Sequence, residues 1–184
     1  MVGHSNLMIK VYLANRPPLA EYLNTDVIDH LPVGEISRIA TEAGNHWRKI
    51  FNVYAKLIYC LAEKTNHPLL QKYASWQEYR EQALLQEGTN TELHLDNISL
   101  STSLGEASTG PVKTVRIVMG KSFSERLLVG VTVEWLDKDF AINNDLGIVV
   151  CPYFDYRQLS NIKIERLADL ILTLQNLNCQ EELM

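Results

Sequence analysis

Three short segments of this 184-residue chain gather the side chains that hold anions and flat rings. "ANRPP" supplies Asn15 and Arg16, "MGKSF" supplies Gly120, Lys121 and Ser122, and "CPYFDYRQLSN" supplies Pro152, Tyr153, Phe154, Asp155, Tyr156, Arg157 and Asn161. A fourth, "AGNHWR", adds Asn45 and Arg48 where a helix begins. One cation per loop (Arg16, Lys121, Arg157) suits a phosphate or phosphodiester, and helix N-termini favour anions in their own right. Tyr153, Phe154 and Tyr156 offer faces on which a base stacks. The plainer account is that loops are polar in any protein and that these aromatics plug the end of a sheet. Asp155 stands among the aromatics, where desolvation raises a carboxyl pKa and pairing with Arg157 pulls it back.

Other chemistries lack their spacing. "GKS" at Gly120 is not a phosphate-cradling loop, because the glycine needed five residues earlier is Val115. The five histidines include no i, i+4 pair, so neither a metal nor another cofactor is expected. Ser122 and Ser124 read as helix-capping residues, with no His and Asp set that the sequence pairs into a triad. Cys60, Cys151 and Cys179 are odd in number and far apart, the usage of reduced cytoplasmic thiols.

The loops need elements to hold them. An apolar run predicts a strand over Leu7–Ala14, stopped by Pro17 and Pro18. A short helix is expected from Pro18 to Ile28 and another over Glu35–Ala43. Trp47, Ile50, Phe51, Tyr54, Leu57, Ile58 and Leu61 recur at spacings of three and four, which places them on one face of a core helix capped by Asn45. Asn45, Arg48 and Asn52 align on a different face of it. A further helix is read from Pro68 to Gln86, and 89–111 as loop with a small helix or strand. Strands follow over Thr114–Met119 and Leu146–Cys151, with a helix from Ser122 between them and "VGVTVEWL" as strand or helix extension. Asn161 caps a last helix whose Ile164, Leu167, Leu170, Ile171 and Leu174 share a face.

Strands alternating with helices predict an α/β protein, a three-layer α/β/α sandwich on a short, mainly parallel sheet, with residues 1–184 as one domain. In such folds ligands bind outside the carboxyl ends of the strands. A formal net charge of -5 argues against coating nucleic acid by bulk electrostatics but leaves room for a local basic patch. No apolar run approaches the length that spans a bilayer, so no membrane partner is expected.

In its order of motifs the chain resembles the uracil-DNA glycosylase superfamily, and most closely its mismatch-specific branch. "LANRPP", "GNHWRKIFN", "TVRIVMGKS" and "VVCPYFDYRQLSN" stand in the order of that family's G-x-N-P-G loop, G-N-x-F-W helix start, glycine-ended strand and proline-bearing loop. The resemblance implies a parallel four-stranded sheet in an α/β/α sandwich. It makes Asn15 the water-positioning residue, Pro17 or Pro18 the proline behind it, and Asn45 and Trp47 the helix-start pair. Pro152 to Asn161 then form the loop that presses on the DNA backbone and supports the leaving base. Ala14 replaces the family glycine, Arg16 separates Asn15 from the proline, and bulky "YFDYR" fills the second loop. The implied activity is N-glycosidic excision, or binding, of a base in nucleic acid. The alternative is a non-catalytic protein for a nucleotide, a small anion or a protein partner.

Overall fold

The computed structural model describes residues 7–96 and 113–180, with side chains to residue 175. Strand β1 is Leu7–Tyr12, followed by a 3₁₀ turn Ala20–Tyr22 and strand β2, Val27–Ile28. Helices α1 (Glu35–Glu42), α2 (Asn45–Thr65), α3 (Leu69–Lys72) and α4 (Trp76–Gln82) lead to strand β3, Thr91–His94. Then come β4 (Lys113–Met119), α5 (Lys121–Leu127), β5 (Glu134–Trp135), β6 (Ala141–Asn143), β7 (Ile148–Cys151) and α6 (Asn161–Gln180).

The strands form one seven-stranded sheet in the order β2-β3-β1-β4-β7-β6-β5. Its centre is parallel: β1 pairs with β3 and β4, and β4 with β7, while β2, β5 and β6 join antiparallel on the flanks. The fold is therefore α/β, with a mixed sheet that is parallel only through its middle. Connections containing helices carry the chain back between parallel neighbours, whereas β6 reaches β7 by a tight turn, Asn144–Gly147, that only an antiparallel pair admits.

Both faces of the central strands are buried, as continuous apolar runs such as "IVVC" require. Ile9, Val11, Leu13, Val115, Ile117, Met119, Val149 and Cys151 face the larger core cluster, into which α1, α2, α4 and α6 send Ile39, Phe51, Tyr54, Tyr79 and Leu167. The alternate residues Tyr12, Val118, Ile148 and Val150 meet Leu128, with Phe123 and Leu127 of α5, on the opposite face. Period-two alternation thus divides each strand between two cores. Tyr54 anchors α2 to the sheet, its hydroxyl lying 2.9 Å from Ile9 O and 3.1 Å from Glu92 O.

Several expected elements are corrected. The helix expected over 18–28 is a single 3₁₀ turn and a strand, because the Arg16 guanidinium bonds Leu23 O and Thr25 O, carbonyls that a helix would turn into its own ladder. The helix expected over 68–86 breaks at residues 73–75. There Ser75 Oγ accepts from Glu78 N and Glu78 Oε2 accepts from Ala74 N, starting a new helix at Trp76. The strand alternative for "VGVTVEWL" holds only at β5. Asn45 does not cap α2: Gly44, at φ 89°, is the cap, and its carbonyl accepts from Trp47 N and Arg48 N. Ser160 O accepts the first helical bond of α6, from Ile164 N, so Asn161 is the first helical residue and not the cap. Ser122 is the second residue of α5, which Gly120 precedes as cap. Of the loop read over 89–111, 97–111 lies outside the described residues and its first part holds β3.

Candidate functional site

Parallel pairing places the ends of β1, β4 and β7 on one edge. Gly120 N donates to Cys151 O at 2.8 Å, locking the end of β4 to that of β7, and Leu13 N donates to His94 O at 3.0 Å on the other side of β1. Asn15, Gly120 and Tyr153 follow directly from these anchored ends.

At this rim Asn15, His46 and Tyr153 meet. Asn15 Nδ2 lies 3.2 Å from His46 Nε2 and donates to the Tyr153 hydroxyl at 3.3 Å, and that hydroxyl is 3.0 Å from His46 Nε2. The His46 and Tyr153 rings stack, with centroids 5.3 Å apart and planes 21° from parallel. The triangle thus joins the loop after β1, the first turn of α2 and the loop after β7. The Asn15 amide nitrogen can only donate, so its contact with His46 is a hydrogen bond in the tautomer whose lone pair lies on Nε2. Among the described residues nothing else bonds Asn15 Oδ1, which stays an open acceptor. Burial pushes the Tyr153 phenol up to about 12, with the Asn15 hydrogen bond opposing it, so the hydroxyl is protonated at neutral pH.

Asp155 joins the loop to α2 by a different partner from the one expected. Its Oδ2 pairs with Lys49 Nζ at 2.7 Å, and its Oδ1 accepts the backbone N–H of Arg157 at 3.0 Å. Those two contacts, Lys49 first, hold its carboxyl below the ordinary value. Desolvation raises the carboxyl and the Arg157 charge lowers it, as expected, but Lys49 and the Arg157 N–H outweigh the desolvation and leave the net shift downward.

The remaining residues divide. Phe154 is fully buried against Tyr54, ring centroids 6.0 Å apart, and is part of the core. Pro152 is half-buried beside it. Arg16 points inward, holding Leu23 O, Thr25 O and Asp96 O, and so clamps the loop after β1. Lys121 lies over the Trp135 ring at 5.0 Å, and Arg157 over the exposed Tyr156 at 5.9 Å. Each loop cation thus has its own neighbour. Ser122 is exposed on α5. Asn45 Oδ1 accepts from Arg48 Nε and Nη2 at 3.1 and 2.6 Å, and Asn161 Oδ1 accepts from Lys56 Nζ at 3.3 Å. Asn45, Arg48 and Lys56 line a groove beside the rim, and Asn161 lines a separate hollow that Lys56 shares.

His46 and Lys49 are functional candidates that sequence reasoning missed. His46 sits in the variable place of the "GNHW" helix start, and Lys49 lies four residues beyond Asn45, on the stripe already marked by Arg48 and Asn52. Among the described residues no group of three His, Cys, Asp or Glu side chains is placed to hold a metal ion, and no helix is long and apolar enough to cross a membrane.

Fold and rim together define an α/β protein with a polar triangle at the carboxyl ends of a parallel strand set. The chain belongs to the family of unknown function DUF6942, whose model matches residues 1–172. No curated protein and no solved structure matches it.

Proposed function

We propose that this chain recognises a base in nucleic acid at the Asn15–His46–Tyr153 rim, as a uracil-DNA glycosylase-like protein. The observation that carries the reading is the meeting of these three side chains from three distant segments at the carboxyl edge of a parallel sheet. The four parallel strands β3, β1, β4 and β7 support it, since the resemblance implies such a sheet. So does the division of the core, in which α1, α2, α4 and α6 contribute to one apolar cluster and α5 to the other, as an α/β/α sandwich would require.

In the catalytic form of this reading, Asn15 Oδ1 accepts a hydrogen bond from water and directs its oxygen at the anomeric carbon of an extruded nucleotide. The C–N bond breaks, a C–O bond forms, the base departs with the bonding electrons and the water's proton passes to solvent. The protonated Tyr153 hydroxyl is a donor near the departing base anion. Incubation at enzyme excess with single strands and duplexes carrying uracil or hypoxanthine, and with duplexes carrying a mismatched thymine, tests this. Abasic sites that vanish in Asn15→Ala are expected, and their absence in the wild type removes the hydrolase.

One observation favours the non-catalytic form. Asp155, the nearby carboxylate, is committed to Lys49 and to the Arg157 N–H, which leaves it no free role in activating water. Base-dependent binding without abasic sites is the result that form expects. The cytoplasm is the compartment proposed for either.

A further inference from the structure

Beside the rim, the flank of α2 carries a groove that the triangle does not use. Asn45, Arg48, Lys49, Asn52, Val53, Lys56 and Tyr156 enclose a hollow of about 490 Å³. It adjoins a second, of about 410 Å³, that shares Asn45 and Arg48 and adds Arg80 and Glu81. Residues 45, 48, 49, 52 and 56 recur every three or four positions, so they form one stripe roughly 16 Å long on the helix. In a chain of net charge -5, the charged lining of these hollows is Arg48, Lys49, Lys56 and Arg80 against Glu81 alone. Asp155 answers Lys49 from outside the lining. Rings stand beside the cations: Lys49 lies 4.8 Å from the Tyr156 centroid, and Lys56 and Arg80 lie 5.1 and 5.8 Å from that of Trp76. The stripe begins next to His46.

From this we infer that the α2 groove is the track for a single strand of nucleic acid leading to the rim. Cations at helical spacing meet successive phosphates, and the neighbouring rings give unpaired bases a stacking face. Duplex has no unpaired base to offer Tyr156, the ring that lines the groove, so that ring selects the single strand. The inference rests on the base-recognition reading, because it supplies the strand whose base the rim receives.

Anisotropy of a labelled oligothymidylate of about 15 nucleotides, beside binding of a deoxynucleoside monophosphate, tests it. Arg48→Glu and Lys56→Glu are each expected to weaken the oligonucleotide about tenfold and to flatten its salt slope by roughly 0.7 per lost phosphate contact. Exposed Tyr156→Ala should weaken it too, and Lys138→Glu on the β5–β6 turn should not. Monophosphate affinity should stay constant across these variants and fall in Asn15→Ala. Charge-neutral Arg48→Gln and Lys56→Gln guard against loss of folding and should show the same order. Oligonucleotide affinity equal in the groove variants and Lys138→Glu would overturn the track while leaving the rim standing. Polyglutamate binding as tightly as the oligonucleotide, with no effect of Tyr156→Ala, would also overturn it, in favour of an acidic peptide. Oligonucleotide binding that depends on the groove, with monophosphate binding that ignores Asn15, would support the track and overturn the rim reading instead.

Discussion

Lys49 Nζ and Asp155 Oδ2 lie 2.7 Å apart across 106 positions of sequence, tying the first turns of α2 to the loop after β7. Both side chains are mostly buried, 14% and 18% exposed, so the pair is shielded more than a surface bridge and less than a core one. It sets the distance between the rim, built partly from Tyr153, and the groove, built partly from Lys49 itself.

Lys49→Met should therefore destabilise the fold by about 1–2 kcal/mol at neutral pH, since it strands a carboxylate with only the Arg157 N–H for a partner. The pH dependence has a definite sign. The folded pKa of Asp155 is below its ordinary 3.8, so the pair's contribution is complete above that value and is lost as pH falls through the folded one. Urea midpoints of wild type and Lys49→Met should converge on acidification below about pH 4. A gap that persists there would mean the pair is not the source.

Tyr54→Phe should cost about 1–2 kcal/mol without altering the shape of the core. The hydroxyl is wholly buried and lies within hydrogen-bond reach of two carbonyls, Ile9 O on β1 and Glu92 O on β3. Removing it withdraws the donor that ties α2 to two neighbouring strands while leaving the ring packed against Phe154. Equilibrium urea unfolding measures it, with an unchanged m-value expected; a wild-type midpoint would show that the hydroxyl contributes nothing net.

How far such features could be read in advance depends on the range of the force that makes them. The α2 face was legible because Trp47 to Leu61 repeat at helical spacing, a pattern written within one turn and the next. The strands β1, β4 and β7 were legible as apolar runs closed by Pro17, Gly120 and Pro152. Strand β2 was not, because two residues carry no period and its formation depends on Arg16 capturing Leu23 O and Thr25 O and on pairing with a β3 yet to arrive. The break before α4 had a local signal, Ser75 three residues before Glu78, within a stretch whose helix propensity argued for continuity. At the candidate site, residue type pointed to loops that the structure gathers on one sheet edge, but side-chain direction decides what each residue meets: Phe154 points into the core, Arg16 inward to carbonyls, and His46 toward Asn15.

Gly147→Ala should be among the most damaging small substitutions in the chain. The glycine has φ +60°, and a Cβ built on it would lie 2.8 Å from the backbone oxygen of Thr114, which cannot rotate away. Its own carbonyl accepts Arg116 N at 2.8 Å, so the turn cannot move without loosening β4 from β7. Left-handed strain and the clash together imply a loss of about 2–4 kcal/mol. Thermal unfolding tests this, and a shift of less than about 2 °C would show that the turn yields.

Tyr153 provides the last test, of the rim's electrostatics. Its phenol is raised from 10.0 to about 12, chiefly by burial between the β7 loop and the start of α2. The sign follows from which form the fold prefers. Neutral Tyr153 is favoured by folding, so its contribution is complete below about pH 10 and is lost as pH rises toward 12, because the unfolded chain ionises first. In the phenolate absorbance difference between wild type and Tyr153→Phe, the missing tyrosine should titrate near 12. Asn15→Ala removes an amide that donates to the phenol oxygen and so opposes the rise, and should move that titration further upward. A Tyr153 signal near 10 in the folded protein would mean that water reaches the hydroxyl freely, and the triangle with Asn15 and His46 would then be too open to hold a base in one orientation.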